Sequence, residues 1–155
     1  TLDYFSRFTA MRQASNRGAG EALWFNIFNY LQSGSISNVF IVKNSQLLTP
    51  PTQQDLEDPL IRENTPYPAS NVLPGITRRV VLELARSNDI PVQIKALAIN
   101  DLLDADECFL TNSIMEIMPV CRIERKPIGQ DRPGDLTQKL VMLYRTAVDQ
   151  FVGSD

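Results

Sequence analysis

Leu73-Pro74-Gly75-Ile76-Thr77-Arg78 is the stretch on which the reading of this chain turns. Proline and glycine make a turn, and an amphipathic run follows at once: Ile76, Val80, Val81, Leu84 and Ala85 recur at helical spacing as far as Asn88. The spacing predicts a helix whose first-turn N–H groups have no partner inside the helix. With the positive end of the helix dipole, they make a place where an anion can bind. Thr77 could add a hydroxyl donor. Taken alone, the same stretch is also an ordinary turn before a helix.

Upstream, residues 50–72 hold Pro50, Pro51, Pro59, Pro66 and Pro68 without sustained periodicity. They are expected to form a long surface loop, of the kind used for lids and binding segments. Before it, residues 22–28 make an apolar, aromatic-rich run of strand length. Residues 29–34 supply turn residues. Residues 38–43, with Val-Phe-Ile-Val at the centre, and residues 46–49 read as two more strands of an antiparallel meander. At the start, Leu2, Phe5, Phe8 and Met11 mark a first helix ending near Gly18 and Gly20. Downstream, strands are expected at 91–97, 107–111 and 117–124, the last broken by Pro119. A short helix is expected at 100–105. A final helix begins near Pro133 and carries Leu136, Leu140, Leu143, Tyr144, Ala147 and Phe151 as its apolar stripe. The fold class is therefore mixed α/β (α+β), and 155 residues suit one domain, 1–155.

Composition removes several kinds of chemistry. The chain has no His, so it holds no Ser-His-Asp triad, no Cys-His pair and no His-ligated zinc. Its two cysteines, Cys108 and Cys121, are too few for a disulfide scaffold or a four-thiolate site. Both lie in apolar runs and read as buried thiols in a reducing, cytoplasmic compartment. Net charge is −3, and Arg78-Arg79 and the cluster Arg122, Arg125, Lys126 read as solvated faces, so nucleic acid is not an expected partner. No apolar run reaches the roughly 18 residues a membrane span needs. The sequence starts at Thr1 with no basic and apolar leader, and the expectation is a piece of a longer chain rather than a secretory precursor.

A second candidate anion site is Thr111-Asn112-Ser113, at the end of the predicted strand 107–111. Small hydroxyl and amide residues after a strand can wrap a phosphate. The same residues also serve as a capping turn before Ile114-Met115.

LPGITR at 73–78, ADE at 105–107, TNS at 111–113, PV at 119–120 and RPGDLTQKL at 132–140 stand in an order that resembles the class IV (fold-type IV) pyridoxal-phosphate enzymes. That family includes branched-chain aminotransferases, D-amino acid aminotransferases and aminodeoxychorismate lyases. Glu21-Ala22-Leu23 and Asn38-Val39-Phe40 sit where the family has comparable short motifs. The resemblance covers nearly the whole chain. It implies the second, cofactor-binding domain of a two-domain protein, with a barrel-like sheet and flanking helices.

The resemblance implies that Ile76, Thr77 and Ser113 hold the 5′-phosphate of pyridoxal 5′-phosphate. Tyr4 matches a family tyrosine that hydrogen-bonds the cofactor's ring oxygen; it is equally placed to pack on Phe8 along the first helix. The family's Schiff-base lysine falls just before Thr1. Lys43, Lys95, Lys126 and Lys139 do not match it, so this chain is expected to carry no catalytic residue and to be inactive alone. Ser33 stands at the family's usual glutamate, where a carboxylate keeps the cofactor's ring nitrogen protonated; a one-residue shift brings Gln32, which is no acid either. The 50–72 segment is longer than the family's usual link. Substrates implied for the intact protein are an amino acid or aminodeoxychorismate, with a missing N-terminal domain and a homodimer as further partners. A non-catalytic relative of the same fold, binding phosphate or a partner without chemistry, is the alternative that the serine at 33 suggests.

Overall fold

The structure is a computed structural model and describes residues 21–153. The expected first helix, and Tyr4 within it, lie outside the described residues.

A five-stranded sheet organises the chain. Its order is β5(Val92–Ile94), β4(Gln46–Thr49), β3(Asn38–Lys43), β6(Glu107–Asn112) and β7(Glu116–Pro119). β3 is central because every second residue on each side is apolar. Val39 and Ile41 face one layer, Phe40 and Val42 the other, and all four are buried. Phe40 stacks on Phe109 of the neighbouring β6, with ring centroids 4.9 Å apart. β3 pairs antiparallel with both β4 and β6, whereas β4 and β5 run parallel. A parallel pair needs a crossover. Residues 50–91 supply it, and they include the helix α2(Ile76–Ser87).

One face of the sheet is covered by α2 and by α4(Asp135–Gly153), through Val81, Leu82, Ala85 and Leu140 against Phe40, Leu47 and Phe109. Glu107 fixes the start of α4. Its carboxylate accepts from Leu136 N at 3.0 Å and from Thr137 N and Oγ1 at 2.8 Å each. The other face carries Leu31, Leu97, Leu102, Ala105, Cys108 and Ile128. It is closed by the hairpin β1(Leu23–Phe25)–β2(Leu31–Gly34) and the short helix α3(Ile99–Leu103). β8(Arg122–Ile123) and β9(Lys126–Pro127) form a second small hairpin.

The mixed α/β class of the sequence reading holds. Among the described residues the sheet does not close on itself: β1–β2 and β8–β9 stand as separate two-stranded ribbons, and the sheet ends at β5 and β7. β2 occupies residues expected as a turn. Cys108 is buried as expected, but Cys121 is only half-buried. Phe151 leaves the stripe of α4 and is 79% exposed.

Residues 50–72, expected as a long surface loop, hold local order that their prolines did not announce. They hold a single 3-10 turn, Asp55–Glu57, and the five-residue helix α1(Pro59–Glu63), capped by Asp58, whose Oδ1 accepts from Leu60 N at 2.9 Å. Leu56, Tyr67 and Val72 are buried, Tyr67 against Tyr30. Burial raises the Tyr67 pKa above its ordinary value. Side-chain-to-backbone bonds take the place of a ladder. Arg62 donates to the carbonyls of Thr65, Tyr67 and Pro68, and Ser70 Oγ donates to Pro51 O at 2.6 Å. Proline counting misses such order because it registers only the N–H groups that are lost.

Candidate functional site: the start of helix α2

The predicted helix begins at Ile76 with Gly75 as its N-cap residue, and no side chain caps it. The first-turn N–H groups are therefore left for another partner. Ile76 is exposed and Thr77 is buried.

Asn38, the first residue of β3, fixes where this turn sits. Its Nδ2 donates to Leu73 O at 2.8 Å, and its Oδ1 lies against Gly75 so closely that a Cβ there would overlap it. Glycine is required by this approach rather than by its dihedral angles, since its φ of −61° is open to any residue. Across the sheet, Asn38 is the register partner of Thr111 on β6. The helix start and the 111–113 segment thus flank one residue at one end of the sheet. The sequence showed both segments but not Asn38, whose role depends on residues 35 positions away.

Ser113 is exposed, in the tight turn between β6 and β7. Asn112 shapes that turn: its Oδ1 accepts from Ile114 N at 2.9 Å and Met115 N at 2.6 Å. This is the capping role read from the sequence, and it leaves the Asn112 Nδ2 donor buried without a partner. Thr111 is 2% exposed and its Oγ1 is also buried without a partner. Buried polar groups are nearly always satisfied, so each orphan is a donor short of an acceptor; as consecutive strand residues they point to opposite faces of the sheet, and only Thr111, the register partner of Asn38, is on the α2 side. A phosphate group, rich in acceptor oxygens, is the kind of ligand that the open N–H groups of the α2 start suit.

Arg78 corrects the sequence reading. It is not on a solvated face but 5% exposed. Its Nη2 donates to Asp55 Oδ2 at 2.7 Å and to Pro50 O at 3.2 Å. Desolvation lowers its pKa, and Asp55 opposes that shift. The pair ties α2 to the 50–72 segment.

Ser33 lies on β2, 1% exposed, opposite Trp24 of β1. A carboxylate does stand beside this hairpin, but it comes from Glu21. Its Oε1 accepts from Ile36 N at 3.1 Å and Ser37 Oγ at 2.6 Å, and it lies against Gly34. That acid serves the bend at 35–37, and sequence reasoning, which used Glu21 only as a motif letter, missed it.

The sequence profile of Amino-transferase class IV matches residues 1–123. The chain belongs to the class IV aminotransferase family. A Methanocaldococcus jannaschii protein, provisionally named a branched-chain-amino-acid aminotransferase, is 35% identical over 140 residues, which is 90% of this chain and 43% of that protein. Among solved structures, the branched-chain aminotransferase of the archaeon Thermoproteus uzoniensis with norvaline is similar at a TM-score of 0.76 and 32% identity, covering 92% of this chain and 41% of that one. A T.th. branched-chain amino acid aminotransferase solved with pyridoxamine 5′-phosphate is similar at a TM-score of 0.79 and 29% identity, covering 94% and 42%. The chain thus spans about two fifths of the length of these relatives. Among the described residues no group of acidic or thiol side chains is placed to hold a metal ion, and no helix is long and apolar enough to cross a membrane.

Proposed function

We propose that this chain is the phosphate-anchoring part of a pyridoxal 5′-phosphate-dependent aminotransferase acting on amino acids. In this reading the first-turn N–H groups of Ile76 and Thr77 and the Ser113 hydroxyl hold the cofactor's 5′-phosphate. The observation that carries it is Asn38, which touches Gly75 on one side and pairs with Thr111 on the other. The unpartnered Thr111 Oγ1, on the register partner of Asn38, supports it as a donor without an acceptor on the α2 side of the sheet. When bound, pyridoxal phosphate supplies an electron-withdrawing ring that makes the α-proton of an attached amino acid removable.

The chain's own residues contribute binding and orientation. Helix-start N–H groups fix the phosphate, and each charge-assisted bond contributes about 1.5–3 kcal/mol. Leu73, Ile76 and Ile114, which are 61%, 69% and 86% exposed, give the rim an apolar character suited to excluding water. The same apolar rim supports a first domain and a second copy of the chain as the cover that completes the pocket in the intact protein. The named relatives support branched-chain amino acids as the substrate class, ahead of aminodeoxychorismate. A cytoplasmic location belongs to the same reading.

The residues present supply no match for the Schiff-base lysine, so the 155-residue chain alone is proposed to lack turnover. One observation favours a second reading, a non-catalytic relative: Ser33, which cannot hold a positive ring nitrogen as a carboxylate does. Titration of the chain with inorganic phosphate, followed by calorimetry, tests the anchoring role. Binding that is weakened at least tenfold in Thr77→Val with Ser113→Ala agrees with it; equal affinity in that variant overturns it. Incubation with pyridoxal phosphate, a panel of D- and L-amino acids and aminodeoxychorismate, with keto acid and pyruvate assayed, tests the missing turnover. Sustained turnover abolished by Ser113→Ala would contradict it.

A further inference from the structure

The pair of buried Arg78 and half-buried Asp55 sits in an unusual electrostatic position. Arg78 is the third residue of α2, inside the turn whose free N–H groups already make this end of the helix positive. A cation is disfavoured there, and burial disfavours it again. Its partner comes from outside the helix. Asp55 is held in place by its own short-range bonds: Oδ2 accepts from Thr52 N at 2.8 Å, and Asp55 N donates to Thr52 Oγ1 at 3.1 Å. The 50–72 segment therefore delivers one negative charge to the first turn of α2.

We propose that Asp55 is a counter-charge that sets the affinity of the α2 anion site, holding it below what the helix start and Arg78 would give together. The inference rests on the phosphate reading of that site. With Asp55 ionised, Arg78 and Asp55 sum to zero, and an approaching dianion meets only N–H groups and the helix dipole. Without the carboxylate, the charge of Arg78, carried by the third residue of the same helix, is left uncompensated. Asp55 thus stabilises the fold while weakening the anion. A residue that merely positioned the helix would help both.

The two roles separate in one pair of measurements on the purified chain: thermal unfolding, and calorimetric titration with inorganic phosphate at low ionic strength. In Asp55→Asn the melting temperature should fall while phosphate binds about fivefold more tightly, the order of magnitude expected for one uncompensated charge acting on a dianion. The gain should shrink in about 0.5 M salt. Arg78→Gln gives the opposite readout, about fivefold weaker binding, and carries the test should Asp55→Asn fail to fold. Unchanged or weaker binding in Asp55→Asn, or unchanged binding in Arg78→Gln, overturns the inference while leaving the site intact. A wild-type chain that binds no phosphate overturns the site and the inference together.

Discussion

Asn38 and Gly75 are locked against each other. The Asn38 Oδ1 fills the space that a Cβ on Gly75 would need, while its Nδ2 donates to Leu73 O at 2.8 Å. Asn38 is 5% exposed, so it has no room to swing aside without giving up that bond. Gly75→Ala is expected to destabilise the chain by about 1–3 kcal/mol, the usual cost of overpacking a filled interior. Urea unfolding measures it, and a change below a few tenths would mean the turn relaxes freely.

The same threonine-to-valine change should act with opposite signs at two buried positions. Thr111 Oγ1 has no partner, so Thr111→Val removes an uncompensated desolvation and is expected to raise stability by up to about 1 kcal/mol. Thr49 Oγ1 donates to Val39 O at 2.7 Å, and Thr49→Val is expected to lower it by about 1 kcal/mol. Denaturant melts of the two variants side by side give the comparison, and equal signs would contradict it.

Glu107 binds the first turn of α4 through three hydrogen bonds. Glu107→Ala leaves those donors open and removes an anion from a helix start. The expected loss is about 2–3 kcal/mol, with Glu107→Gln losing less. Equilibrium unfolding of both variants decides whether the carboxylate or only the side-chain length matters.

Burial pushes the Cys108 thiol up to about 12. In the unfolded chain the same thiol ionises near its ordinary value of 9.0. Below that pH both states keep the proton and nothing changes. Above it the unfolded state loses its proton first, so stability should fall by about 1.4 kcal/mol per pH unit between roughly 9 and 12. Cys108→Ala should flatten that slope. In the native chain at about pH 8, a thiol reagent should modify Cys121 and spare Cys108 until denaturant is added.

Legibility in the sequence followed the range of the interactions. β3 and β4 matched the runs 38–43 and 46–49 because Val-Phe-Ile-Val and Gln-Leu-Leu-Thr are apolar stretches bounded by a local turn. β2 was lost because Leu31-Gln32-Ser33-Gly34 is short, half polar and ends in glycine, and only its pairing with β1 makes it a strand. The helix start at Ile76 and the turn at Ser113 were legible because helix starts and strand ends announce themselves locally. Asn38 and Asp55 were not, since each acquires its meaning from a residue far along the chain, Leu73 or Arg78. A buried arginine next to another arginine looks, in sequence, like a wet surface.

The Arg62 guanidinium grips the carbonyls of Thr65, Tyr67 and Pro68, in a stretch with no ladder of its own. One side chain thus satisfies three carbonyls of that stretch, while Asn64 Nδ2 and Thr65 Oγ1 donate to the carbonyls of Leu60 and Ile61 at 2.7 Å each. Side chains at 66 and 69 are exposed and could change at little cost, while a change at 62 would release three carbonyls at once. A segment built this way can be remodelled quickly between relatives without disturbing the sheet beneath it.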